Sequence, residues 1–163
     1  MSDTRLPYCY YASPIGNLLL AGTREEIRLL SFPTGSRTVN PKETWFQDHG
    51  QFSKIIEQLS SYFAGELVKF DLPLKLTGTT FQKSVWNALL EIKYGETVSY
   101  SSIASQIGRP NACRAVGAAN GANPIPIIIP CHRVIGTNKT LTGFGGGLPT
   151  KEYLLRLEGT DEF

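Results

Sequence analysis

The sequence predicts an α+β chain in two parts. Residues 1–77 form a small antiparallel sheet with one helix, and residues 78–163 form a mostly helical unit containing a helix-turn-helix. Three observations carry this. Short apolar runs punctuated by Pro and Gly crowd the first 32 residues, the pattern of a β-meander. Apolar residues then recur at spacings of three and four over Gln51–Ala64 and Phe81–Ile92, the period of helices buried on one face. Finally, two short helical stretches, 98–108 and 112–119, are separated only by Arg109-Pro110-Asn111.

Composition bounds the rest. The chain has 163 residues, enough for one good core or two small ones. Its 41% hydrophobic and 18% charged content fits a folded protein. No apolar run nears the ~20 residues that span a bilayer, so no membrane partner is expected. Met1–Tyr10 lacks a signal pattern, and a cytoplasmic location is expected. The cysteines Cys9, Cys113 and Cys131 are widely spaced and form no CxxC pair, which predicts a reduced compartment and no structural metal. Net charge is +2. Residues 1–77 hold eight basic and eight acidic side chains and residues 78–163 hold eight and six, too even to argue for nucleic acid by itself.

The elements follow in order. Tyr8–Ala12, the turn Ser13–Asn17 and Leu18–Ala21 read as a hairpin, and Ile27–Phe32 as a third strand. Pro33–Asn40 is a loop by composition. In 51–64, Phe52, Ile55, Ile56, Leu59, Tyr62 and Phe63 gather on one face, and Gly65 stops the helix. His49 lies in a polar stretch and reads as a surface residue. After an extended segment from Val68 to Gly78, Thr79 or Thr80 caps the next helix, which buries Phe81, Val85, Trp86, Leu89 and Leu90.

The second helix of the helix-turn-helix is rich in small residues. A major-groove reader needs Asn, Gln, Ser or several Arg facing the bases. Here Arg114 stands alone among alanines and glycines, which suggests close, shape-directed contact with weak sequence preference. Ile125–Pro130 reads as an extended, buried segment, followed by Cys131-His132-Arg133-Val134. A glycine-rich loop with one aromatic, Phe144, and a final helix over Lys151–Leu157 complete the chain.

Cys131 carries the chemistry. A thiol reacts as thiolate, and His132 beside it is a possible base. Neighbouring side chains point apart on a strand and converge on a turn, so spacing alone leaves both an activated nucleophile and an inert buried cysteine open. Glu158 is the candidate third group to fix the histidine tautomer.

With Pro130-Cys131-His132-Arg133-Val134 in view, the chain resembles the O6-alkylguanine-DNA alkyltransferases. The likeness covers residues 79–163 through Val98-Ser99-Tyr100, Arg114-Ala115-Val116-Gly117, Asn123-Pro124, Gly146-Gly147, Lys151-Glu152 and Glu158-Gly159. It reaches the first half through Ser13-Pro14-Ile15-Gly16 and Tyr62-Phe63-Ala64-Gly65. The resemblance implies a ribonuclease-H-like first domain and a DNA-binding second one. It implies that Cys131 accepts the alkyl group of O6-alkylguanine in double-stranded DNA, once and irreversibly, with O4-alkylthymine as a candidate second substrate. His132 would activate Cys131 through a water, Glu158 would orient His132, and Asn123 would brace the turn between the recognition helix and the cysteine loop. Tyr100, Val134, Phe144 and Gly145 would line the base pocket. Arg114 would replace a flipped-out base in the minor groove. Tyr100, Ser101, Arg109, Asn111, Ala115, Gly117 and Thr137 would join it on DNA.

No cofactor is implied, and a monomer, able to assemble cooperatively on DNA, is expected. Where some members carry zinc ligands this chain has Thr4 and Thr23, so no metal is expected. Gly145 stands where some members have serine, which suggests a more open pocket. The competing readings are a lesion-binding module without transfer activity, a helix-turn-helix transcription factor and a cysteine hydrolase.

Overall fold

The computed structural model describes residues 5–136 and 143–160. Strands β1 (Pro7–Ser13), β2 (Gly16–Thr23) and β3 (Glu26–Ser31) form the meander that the apolar runs predict. β1 and β2 pair antiparallel from Tyr8↔Ala21 to Ser13↔Gly16. Their turn is closed by the Ser13 hydroxyl, which donates to the Gly16 carbonyl at 2.7 Å. The sheet is mixed, not purely antiparallel, because β4 (Phe46–Gln47) runs parallel to β1 and gives the order β3-β2-β1-β4. Two residues are too few for an alternating pattern, so this strand left no sequence signature.

Helix α1 (Ser53–Phe63) follows a 3-10 turn, His49–Phe52, and buries Phe52, Ile55, Leu59 and Tyr62 at 1% exposure or less. His49 is exposed. The segment after α1 lays Leu74 beside Ile27 of β3, with Ile27 N–H donating to the Pro73 carbonyl and Lys75 N–H to the Ile27 carbonyl, both at 2.8 Å.

Helix α2 (Thr80–Leu89) begins with a full capping box. The Thr79 hydroxyl accepts from Gln82 N–H while the Gln82 side chain accepts from Thr79 N–H, each at 3.0 Å. Such a cap contributes about 1 kcal/mol. Trp86, buried in α2, donates its indole N–H to the Ala119 carbonyl at 2.8 Å. That bond fixes α2 against α4 (Cys113–Gly121), which packs on α3 (Tyr100–Gln106) to make the helix-turn-helix. α5 (Leu148–Leu157) closes the described chain, with Glu158 at its C-cap.

A second, two-stranded sheet was hidden from the sequence. β5 (Val98–Ser99) pairs parallel with β6 (Val134–Ile135) through Val98↔Val134 and Ser99↔Ile135. β5 runs straight into Tyr100 at the start of α3, and β6 follows directly on Cys131–Arg133. The ladder therefore ties the helix-turn-helix to the cysteine loop. A single apolar cluster runs from Cys9 and Leu18 in the first half through Trp86 and Ile103 to Leu154, so the two halves share one core.

Candidate active site

Ile125–Pro130 is buried as expected but is not extended. Ile129 N–H donates to the Ile125 carbonyl at 2.9 Å, and Ile127 sits at φ 75°, a left-handed conformation costly for a β-branched residue. The segment is a tight, strained turn. Asn123 holds it from inside: its side-chain amide donates to the Ile129 carbonyl at 2.7 Å, and its side-chain oxygen accepts from Ile125 N–H at 2.9 Å. The prolines at 124, 126 and 130 break the regular ladder that the apolar run suggested.

The turn delivers Cys131, His132 and Arg133 onto one 3-10 turn. That geometry, unlike a strand, lets adjacent side chains take different tasks within one buried cluster. Cys131 is 4% exposed and forms part of the wall of a cavity of about 260 Å³. His132 is fully buried, and its Nε2 lies 2.8 Å from Glu158 Oε2. With Nε2–H donating to the carboxylate, Nδ1 keeps a lone pair and makes no hydrogen bond with any described residue. Arg133 grips the same carboxylate with Nε to Oε1 at 2.8 Å and Nη2 to Oε2 at 3.0 Å, and donates Nη1 to the Ile92 carbonyl at 2.7 Å. Arg133 is therefore an internal tie.

The electrostatics follow from burial. Burial pushes the Cys131 thiol up to about 11, partly offset by the Asn123 side chain and the Lys151 charge. Burial also lowers the His132 imidazole against the pull of Glu158, keeping it a neutral acceptor. For Glu158, burial alone would raise the carboxyl, but hydrogen bonds and charge from His132 and Arg133 outweigh it and hold the group at about 2.

Several site residues had no sequence signal of their own. Lys151 on α5 is fully buried. Its ammonium donates to the Val134 carbonyl at 2.7 Å and lies 5.9 Å over the Phe144 ring, and burial lowers it to about 8. The Asn120 amide donates to the Cys131 carbonyl at 3.4 Å. The first half, where no chemistry was expected, forms much of the cavity wall through Leu30, Phe32, Arg37 and Val39.

The predicted pocket residues divide. Phe144 and Gly145 line the cavity, and Phe144 packs on Phe32 with ring centroids 5.6 Å apart. Val134 does not line it, because β6 turns the residue into the core. Tyr100 also lies outside the lining, half-buried at the start of α3 and against Gly117. Gly145 leaves less room than expected. A Cβ there would meet Arg37 Cγ at 2.8 Å, so the arginine stem already occupies that space. Gly117, assigned to DNA contact, lines the cavity. Ser101, Arg109, Asn111, Arg114 and Ala115 are exposed, with Arg114, Ala115 and Ala118 on one outer face of α4. Thr137 lies outside the described residues.

Comparison with known proteins agrees with this geometry. Residues 80–160 match the family profile described as 6-O-methylguanine DNA methyltransferase, DNA binding domain, and residues 6–76 match its ribonuclease-like domain. The chain belongs to the O6-alkylguanine-DNA alkyltransferase family. It is 52% identical over 153 residues to the methylated-DNA–protein-cysteine methyltransferase of Methanosarcina acetivorans, covering 94% of this chain and 98% of that one. The corresponding Mycobacterium bovis protein is 55% identical over 150 residues, 90% of this chain and 88% of its own. Among solved alkyltransferase structures, Mycobacterium tuberculosis OGT in complex with DNA superposes with a TM-score of 0.88 at 53% identity, covering 93% and 92% of the two chains. The antiparallel core of the first sheet, its covering helix and the helical second half agree with that fold.

Proposed function

We propose that this alkyltransferase repairs DNA by moving an alkyl group from O6 of guanine to Cys131. The observation that carries the reading is the buried Cys131-His132-Glu158 arrangement at the wall of a cavity shared by both halves of the chain. As the Sγ–carbon bond forms, the carbon–O6 bond breaks and its electron pair passes to the guanine. The thiol proton passes through a water to Nδ1 of His132, whose other nitrogen is fixed by Glu158. Because burial raises the resting thiol, transfer calls on a base to take its proton. The product is a thioether, which water does not cleave, so the protein acts once.

A sulfur this deeply set does not reach an alkyl carbon inside stacked duplex, so the modified nucleotide is flipped into the cavity. The exposed α4 face, with Arg114 among small residues, suits close approach to a minor groove, where Arg114 fills the vacated stack. Tyr100, beside Gly117 and outside the cavity lining, aids extrusion of the nucleotide. O4-alkylthymine, offering a similar exocyclic oxygen, is a second substrate on this reading.

The deciding experiment counts methyl groups moved per protein from O6-methylguanine duplex. Wild type is expected to reach one and stop, with a mass gain on Cys131 matching replacement of S–H by S–CH3, and Cys131→Ala is expected to move none. Many turnovers would point to a hydrolase instead. Binding without transfer by wild type would point to a lesion-recognition module.

A further inference from the structure

One member of the buried cluster has no part in the mechanism above. Tyr62 belongs to α1, in the first half of the chain, yet its hydroxyl donates to Glu158 Oε2 at 2.5 Å across 96 residues of sequence. Tyr62 is fully buried, and its ring is held among Phe63, Phe70 and Tyr94 with centroids 5.3 to 6.4 Å apart. The oxygen it reaches also receives His132 Nε2 and Arg133 Nη2, so one carboxylate oxygen answers to three donors. We propose that Tyr62 is a positioning residue for the alkyl transfer. Through Glu158, the first half of the chain sets the orientation and proton affinity of His132.

The physical argument is competition for one charge. Each donor on Oε2 neutralises part of the carboxylate that His132 feels. Removing the Tyr62 hydroxyl leaves more of that charge for the imidazolium, so His132 becomes more basic and is protonated at higher pH. The other ionisable groups facing the cluster are Arg133 and Cys131 on the same 3-10 turn, Tyr94 from the loop after α2 and Lys151 from α5. Arg133 and Lys151 oppose protonation of His132, and the neutral phenols carry no charge of their own. The Tyr62 hydroxyl is thus the one donor on Glu158 from the first half of the chain among the described hydrogen bonds.

This inference rests on the proposed transfer reaction, and the experiment separates the two. Single-turnover transfer from methylated duplex is followed across pH for wild type and Tyr62→Phe, alongside thermal melting and the His132 ring titration by nitrogen NMR. The acid limb of the rate profile and the ring titration are both expected to rise by about 0.5–1 pH unit in Tyr62→Phe. A profile and titration superimposable on wild type, with only a lower melting point, would assign Tyr62 to packing and overturn its positioning role. Should Tyr62→Phe fail to fold, 3-fluorotyrosine installed at position 62, a stronger donor, is expected to move both curves the opposite way, and curves that stay put overturn the role equally. A wild type that moves no methyl group would instead overturn the reaction, while the ring titration would still report on Tyr62.

Discussion

The two halves of this chain reach the same cavity by different means. The second half brings reactive side chains: a thiol on the same 3-10 turn as an imidazole and a guanidinium, the latter two sharing one buried carboxylate. The first half brings walls and one phenol, with Leu30, Phe32, Arg37 and Val39 lining the cavity and Tyr62 donating to Glu158. Reactive groups announce themselves in sequence because few residue types perform each task. Walls do not, since many apolar residues of similar size serve. A half without reactive motifs thus still supplies part of the cavity wall.

Four measurements would break or sharpen that contrast. The largest effect is expected at Glu158. Glu158→Gln removes the charge that Arg133 and His132 share and strands a buried guanidinium, at a cost of about 3–5 kcal/mol in denaturant unfolding. Transfer is expected to slow at least about a hundredfold, the scale of losing an oriented general base.

Next comes Arg114→Ala. Its reaction with O6-methylguanine duplex is expected to fall about tenfold or more, reflecting a few kcal/mol of base extrusion left uncompensated. Reaction with free O6-benzylguanine, which needs no extrusion, is expected to match wild type. An equal loss on both substrates would place Arg114 in the fold and not on DNA.

The first half is tested at Gly35, which has φ 104° and backs onto the glycine-rich loop at Gly145. A Cβ there would sit 2.1 Å from the Gly145 carbonyl oxygen. Gly35→Ala is expected to cost about 1–3 kcal/mol and to slow transfer on both free base and duplex, since it moves the cavity wall. Unchanged rates with lowered stability would confine the first half to support.

The smallest effect is acid sensitivity. Glu158 is held near 2 in the folded state against an ordinary 4.5, so its contribution is complete above about 4.5 and is lost as pH falls toward 2. His132, lowered on folding, adds a loss in the same direction that begins below its ordinary 6.5. Melting temperature is expected to drop across this range in wild type and to drop less in Glu158→Gln.

Legibility in the sequence followed the same division. The meander, α1, α2 and both helices of the helix-turn-helix were readable because period and punctuation are local. Ile125–Pro130, just before the cysteine, was read as extended, since Ile127-Ile128-Ile129 favours extension and only the tertiary context imposes a left-handed φ at Ile127. The parallel β5–β6 ladder spans 36 residues and carries only two residue pairs, below any pattern threshold. Glu158 was a candidate third group and the resemblance pointed to it as well, but its approach to His132 comes from α5 docking, which sequence separation does not encode. Tyr62 and Lys151 looked like ordinary members of helical faces, because what distinguishes them is the partner each reaches.

That two-pair ladder has a mechanical consequence. It is a joint four residues wide between the helix that bears Tyr100 and the turn that bears the sulfur. Among the described strands, these two pairs are the ladder that connects the start of α3 to the turn before β6. The position of the sulfur relative to α3 thus depends on one short joint, and a substitution at Val98 would detune it without touching Cys131, whereas Ser99 also caps α3 through its hydroxyl.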